Sequence, residues 1–300
     1  MQHDFMAGRA GGAREGEVRR GLRSPSRRDV LLGLTGLAGL VAGGGPARAR
    51  DFWGEGLPDQ PTDFLFGYGT LISEPSRTST SHRQVVAVPA RVSARFGLVR
   101  AFVARGGARS GAGFTALGLR QPRDGEVPSS INGVVFPVLD AGEMAAFDRR
   151  EGGYRRVEVD PALVEGVGWQ GLPRSGRVWI YVPKGVQMGI ELDREAGAPD
   201  NGVLPDAAFP LVQSYIDVVL QGALAEGAAF ARELIETTFD WSEFWLDDRP
   251  TPRRPWAQTE QAGAIDRLLA SVEPAASQFR NRLYPELYAA RHLMDAAAPR

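Results

Sequence analysis

The chain has no cysteine. That removes disulfides, thiolate metal sites and cysteine nucleophiles together. Histidine is nearly absent, standing only at His3, His82 and His292. Zinc sites need several nitrogen or sulfur ligands, so no metal ion is expected. A Ser-His-Asp hydrolase could draw only on His82 or His292, and no G-x-S-x-G occurs. The single lysine is Lys184, in "PKGV", so there is no G-K-[ST] phosphate loop. The net charge is -1 with no block of like charge, which leaves no electrostatic case for nucleic acid. What remains for chemistry is carboxylates, hydroxyls and backbone, and no cofactor is expected.

What is present is an ordinary globular mix, 43% hydrophobic and 24% charged over 300 residues. That length suits one large domain or two small ones. The first 49 residues read differently from the rest. A basic region carries the pair Arg27-Arg28, a Gly-rich apolar stretch runs from Val30 to Ala42, and a small-residue site follows at Ala47-Arg48-Ala49. This is the pattern of a twin-arginine export signal. Its apolar part, about 13 residues, is short for a bilayer span. The expectation is a protein handed to the twin-arginine machinery and exported to the periplasm or beyond. No stable membrane association is expected after cleavage. That pathway moves folded proteins, which suits a chain that does not depend on oxidative folding.

Residues 50–61 form a polar linker, and the segment 62–184 is strand-like, punctuated by Gly and Pro. One stretch, Asp140 to Gly153, predicts a short helix. Asp140 stands as N-cap with Glu143 three residues on, and Gly152-Gly153 act as the stop. From about Asp206 the spacing turns helical. Val212, Ile216, Val219, Ala223, Phe230 and Leu234 predict one long amphipathic helix, or two broken near Gly227. Further helices are expected over 257–271 and 275–295. The domain reading is a mostly β body over 62–184 with a helical extension, 200–296, packed on it.

Two motifs fail on context. "GAGFTA", Gly111 to Ala116, fits the loose dinucleotide pattern, but Gly118 and Pro122 follow where a helix is required. Trp241, Trp245 and Trp256 lie near Arg249, Arg253 and Arg254. They could form a stacking surface for a sugar. The preferred reading is Trp anchors that hold the helical tail to the β body, beside a surface Arg cluster.

The stretch "FLFGYGTLISEP", Phe64 to Pro75, asks for more. Two glycines at a strand end, Gly67 and Gly69, expose consecutive backbone N–H groups in a tight turn, and such a nest binds an anion, commonly a carboxylate. Thr70 adds a hydroxyl donor, and Tyr68 can close one side of the pocket. Taken alone, the pattern is equally that of a plain glycine turn.

"FGYGTLISEP" resembles the F-G-Y-G-S-L-I-x-x-P opening of the γ-glutamylcyclotransferase superfamily, particularly its ChaC-like branch. The second signature of that superfamily, L-D-x-R-E-x-x-x-Y, is matched by Phe147-Asp148-Arg149-Arg150-Glu151-Gly152-Gly153-Tyr154. Before it stands "INGVVFPV", similar to the strand that precedes this signature in the family. The resemblance covers roughly residues 62–184. It implies an α+β fold, a small mixed β-barrel with flanking helices, extended here by the helical C-terminal portion.

It also implies a reaction. A γ-glutamyl group carries a free α-amine five atoms from its side-chain amide carbonyl. Attack of the amine on that carbonyl closes a five-membered lactam, 5-oxoproline, and cuts the amide. The nucleophile belongs to the substrate, so the enzyme's task is to hold the chain folded back, to take a proton from the ammonium and to return one to the leaving amine. By resemblance Glu151 is the general acid/base. Tyr68, Gly69, Thr70 and Leu71 hold the γ-glutamyl α-carboxylate, and Tyr154 lines the same pocket. Read without the motif, Glu151 is a surface carboxylate beside Arg at a helix end. Thr70 replaces the Ser common in ChaC-like members, and Ser73-Glu74 replaces a Trp and a polar residue. The substrate is therefore left wider than the reaction: glutathione or a small γ-glutamyl peptide, alternatively a γ-glutamyl-amine isopeptide. The other alternative is a non-catalytic member of the fold that binds a ligand or partner.

Overall fold

The structure, a computed structural model, describes residues 61–106, 113–173, 175–186, 202–251 and 259–294. The expected export signal, nearly all of the expected linker, Gly111, and the group Arg253, Arg254 and Trp256 lie outside the described residues. Among those described, no helix is long and apolar enough to cross a membrane.

Eleven strands and seven α-helices follow one another along the described chain. Strand β1, Asp63–Gly67, leads through a 3-10 turn, Thr70–Ile72, into α1, Glu74–Ser81. Then come β2, Val88–Val92, β3, Val99–Gly106, β4, Phe114–Arg120, and β5, Ile131–Val138. Helix α2, Ala141–Arg150, is followed by β6, Tyr154–Val159, β7, Val164–Gly166, and β8, Arg177–Pro183. The C-terminal portion holds β9, Leu211–Val212, α3, Gln213–Ala225, α4, Ala228–Glu236, β10, Thr238–Phe239, and β11, Trp245–Leu246. It ends with α5, Ala262–Ser271, α6, Ala275–Phe279, α7, Pro285–Tyr288, and a π-helical segment, Ala289–Met294.

The expected barrel is not there. Six strands form one mixed sheet in the order β6-β8-β1-β5-β2-β7, three form a second, β10-β3-β4, and two a third, β11-β9. Closing a sheet abolishes its edges, whereas β6 and β7 remain the two edges of the large sheet. The β3–β4 hairpin stands apart from that sheet. Its outer partner is β10, through Thr238↔Arg100 and Phe239↔Ala101. A strand from the C-terminal portion therefore completes the smaller sheet. Strand β5 is buried along its whole length, as suits a central strand covered on both faces. It pairs with β1 on one side and β2 on the other. Pairing with β2 reaches only Val135, so Pro137 removes no rung on that side.

The helix signals act locally. The Asp140 side chain accepts from the Glu143 N–H, and Glu143 returns a bond to the Leu139 N–H, a reciprocal cap that starts α2. The apolar positions Val212, Ile216, Val219, Ala223, Phe230 and Leu234 are all buried. The helical run breaks at Gly227, whose φ of +121° suits a residue without Cβ. The segment expected as one helix over 275–295 is divided. Pro285 begins a new helix, which its fixed φ and missing N–H favour at a first position.

Trp245 is fully buried, stacked on Trp241 at 5.4 Å and edge-on to Phe279 at 5.4 Å. Trp241 in turn meets Phe102 of β3 at 4.8 Å. These rings anchor the C-terminal helices to the smaller sheet. Arg249 is no loose surface charge, since it pairs with Asp217 and Asp266.

Two ion pairs give a test of acid stability. The Arg120 guanidinium holds Glu126 below its ordinary carboxylate range, and Arg105 does the same to Asp206. Groups depressed by folding contribute stability above their ordinary range and lose it as pH falls through the folded values. Glu126→Gln is therefore expected to lower Tm near neutral pH. At about pH 2, where the native carboxyl is itself uncharged, its Tm should approach that of the parent. Thermal melts of both proteins at the two pH values check this, and equal gaps at both would refute the pairing.

Candidate active site

Strand direction brings the two motif stretches to one end of the large sheet. β1 and β8 run parallel, with Phe66 opposite Ile180, so both strands end toward the same side of the sheet. β6 runs antiparallel to β8 and begins there, with Tyr154 opposite Pro183. Helix α2 leaves the far end of β5 and returns, so Glu151, the residue that caps α2, stands just before β6 at that same end.

The turn after β1 is tight because it has room to be. A Cβ on Gly67 would lie 2.6 Å from the Leu71 Cβ, so glycine is needed there, whereas one on Gly69 would make only ordinary contact, 3.4 Å from the Tyr215 hydroxyl. The amides of Ile72 and Ser73 close the 3-10 turn onto Gly69 and Thr70. Those of Gly69, Thr70 and Leu71 have no backbone acceptor among the described residues. Gly69 and Thr70 are half-buried, while Tyr68 and Leu71 are buried. Arg77, itself buried, donates to the Leu71 and Ile72 carbonyls at 2.8 and 2.7 Å and holds the turn from behind. Burial lowers its guanidinium to about 10, so it stays charged at neutral pH.

Glu151 is mostly buried, with 16% of its side chain exposed, and accepts from Arg150 Nε at 3.0 Å. Its charge acts on three phenols. Burial first, and then Glu151, raises Tyr68 well above its usual range. Tyr154 is raised by burial, its neighbouring tyrosines and Glu151. Tyr181 is raised by burial, by its bond to Asp148, and by Glu151. All three phenols are therefore neutral hydrogen-bonding groups near neutral pH.

Their hydroxyls are spoken for. Tyr68 donates to the Tyr181 carbonyl at 2.7 Å, Tyr154 to the Leu117 carbonyl at 2.8 Å, and Tyr181 to Asp148 at 2.8 Å. Tyr215 accepts from the Leu117 N–H at 2.9 Å. Tyr68 and Tyr154 thus offer ring surface and fix β4 and β8, rather than pointing a hydroxyl at a ligand. Thr70 differs. Its Oγ1 accepts from Arg150 Nη2 at 2.8 Å, and its own proton has no acceptor among the described residues.

Sequence reasoning singled out Tyr68, Gly69, Thr70, Leu71, Glu151 and Tyr154. Arg150, Arg77, Tyr181 and Tyr215 also line this region and carry no local sequence signal. Arg150 stood within the quoted signature as a routine neighbour of Glu151. Tyr215 lies 98 residues from its partner Leu117, and no local pattern announces such a pairing. Among the described residues no group of three His, Asp or Glu could hold a metal ion.

No protein-family model and no curated protein matches the chain. Solved γ-glutamylcyclotransferases do resemble it. A γ-glutamyl cyclotransferase is 13% identical, over 57% of this chain and 85% of its own, with a TM-score of 0.38. An uncharacterized human protein is 15% identical over 57% and 85%, with a TM-score of 0.36. A yeast γ-glutamyl cyclotransferase specific to glutathione is 15% identical over 73% and 94%, with a TM-score of 0.33. These likenesses are distant, with identities of 13–15% and TM-scores of 0.33–0.38. They do not single out the ChaC-like branch expected from the sequence.

Proposed function

We propose that the protein is a γ-glutamylcyclotransferase that cuts a γ-glutamyl amide, glutathione or a small γ-glutamyl peptide, with Glu151 as general acid/base. The observation that carries this reading is the meeting of two stretches 80 residues apart, the glycine turn and the end of α2, through the Arg150–Thr70 bond. A carboxylate in a mostly buried setting beside an anion-seeking turn is what the cyclisation needs. The amides of Gly69, Thr70 and Leu71, with the Thr70 hydroxyl, receive the substrate α-carboxylate. The rings of Tyr68 and Tyr154 bound the pocket. Held this way, the α-amine faces its own side-chain amide.

Glu151 takes a proton from the α-ammonium, and the amine nitrogen attacks the amide carbon to form the ring C–N bond. As the original C–N bond breaks, Glu151 returns that proton to the departing nitrogen, and the second proton lost by the ring nitrogen passes to the released amine, which leaves as an ammonium. No water is consumed and no group remains on the enzyme.

The mechanism requires a free α-amine. γ-Glutamyl-alanine is expected to release alanine and 5-oxoproline, and its N-acetyl form to release neither. Mass spectrometry of both products checks this, and equal alanine release from the two compounds would sink the cyclotransferase reading. Export through the twin-arginine pathway belongs to the same proposal, resting on Arg27-Arg28 and the apolar stretch after them. Peptidoglycan stems outside the cytoplasm contain γ-linked glutamate, but its amine is tied in a peptide bond. They should be inert.

A further inference from the structure

Arg150 ends α2 one residue before Glu151, with 14% of its side chain exposed. A guanidinium has five N–H donors in one plane. Here each finds an acceptor. Nε donates to Glu151 Oε1 at 3.0 Å. Nη1 donates to the Ser76 carbonyl at 2.5 Å and to Thr80 Oγ1 at 2.9 Å. Nη2 donates to Thr70 Oγ1 at 2.8 Å and to Ser76 Oγ at 2.7 Å. The acceptors belong to three places in the chain: the residue after α2, the turn after β1, and α1.

We infer that Arg150 is a positioning residue that fixes the Glu151 carboxylate and the Thr70 hydroxyl relative to one another and commits that hydroxyl to donate toward the substrate carboxylate. This rests on the reaction proposed above. Arg150 does not itself bind the substrate, because all five donors are engaged. Its action on Thr70 follows from hydrogen-bond directionality. A guanidinium can only donate, so Thr70 Oγ1 is the acceptor in that bond, and its proton must point elsewhere. An arriving carboxylate accepts it, while a substrate carboxamide brings only one oxygen and adds donors that face other donors. The preference for a free α-carboxylate is thereby built into the turn.

The anchor is stiff. Ser76 and Thr80 hold Arg150 on α1, and Arg77 on the same helix grips the Leu71 and Ile72 carbonyls. The turn and the carboxylate are thus referenced to one helix. Lysine keeps the charge but has three donors and no planar fork, so it cannot serve five acceptors on three elements.

The test uses Arg150→Lys, Arg150→Gln and Thr70→Val in the full chain. kcat and KM are read on γ-glutamyl-alanine, Tm by calorimetry, and the Glu151 carboxyl by ¹³C NMR titration, assigned through Glu151→Gln. Tyr68, Tyr154 and Tyr181, the phenols on which the Glu151 charge acts, are uncharged over the acid range scanned. Removing a cation from beside a carboxylate disfavours the charged form. The Glu151 midpoint in Arg150→Gln should therefore rise by about one unit or more. Arg150→Lys should lose kcat by about tenfold or more, the cost of a misplaced catalytic group. Thr70→Val should act mainly on KM, and it should add little in the Arg150→Gln background because the two act through one bond. A variant set with lowered Tm but parental kcat, KM and Glu151 midpoint would reduce Arg150 to a structural tie and overturn the inference. If the parent releases no 5-oxoproline while the Glu151 midpoint still moves, the reaction assignment fails and the positioning stands.

Discussion

Glu151→Gln is expected to lower kcat by at least about 100-fold while leaving substrate binding close to that of the parent. The amide has the size of the carboxylate, and its oxygen can still accept from Arg150 Nε, which lies at 3.0 Å in the native chain. What it cannot do is take a proton from the α-ammonium and give one to the leaving amine. The fold should not suffer. Glu151 packs at the end of a helix, and its backbone bonds, N–H to Phe147 and carbonyl to Tyr154, are untouched by the change. Single-turnover release of 5-oxoproline measures the chemical step, and a binding titration with the N-acetyl compound measures affinity separately. A fall of only two- or threefold in kcat would move the proton transfer to another group.

The second large effect falls on stability. Arg100→Met is expected to cost about 3 kcal/mol or more. Arg100 is fully buried in β3, and among the described residues its hydrogen bonds go to no carboxylate. Its guanidinium donates instead to the Asn132 carbonyl and Oδ1, the Leu234 carbonyl, Thr237 Oγ1 and Thr238 Oγ1. Leu234 and Thr237 belong to the last turn of α4 and its cap, where unsatisfied carbonyls carry the negative end of the helix dipole. The nearby Glu233 carboxylate also favours the charged form against the cost of burial. Burial lowers the guanidinium to about 9, and it remains protonated at neutral pH. Methionine fills much of the volume but leaves those acceptors buried without their donor. For a domain of this size the loss corresponds to a fall in Tm of roughly 6 to 12 °C. A change below about 1 kcal/mol in a urea or thermal melt would show that water or repacking satisfies the acceptors.

Much of the fold was legible in short-range chemistry. The start of α2 follows from Asp140 and Glu143, which cap it within a few residues, and the break between α3 and α4 follows from Gly227. Pro285 was an equally local signal, and weighing it would have split the segment 275–295. For the candidate site the sequence offered only expectations. The glycine pair marked the turn, and the resemblance pointed to Glu151. The clamp on Leu117 by Tyr154 and Tyr215 was not legible, because its members lie 37 and 98 residues away.

By itself the sequence excluded thiol and phosphate-loop chemistry through missing residue types. It also set where helices start, where backbone must approach backbone, and which residues could carry a proton. These depend on side-chain chemistry and on neighbours a few positions away. Only the tertiary structure decided whether the strands close. Alternating, β-branched segments suit a barrel and an open sheet alike; the pairing leaves β6 and β7 as open edges, while β10 joins β3 in a separate sheet from 138 residues away. Only the tertiary structure, too, distinguished Arg150 from a surface charge, because its five acceptors gather from three segments that are apart in the chain and meet at one end of the sheet.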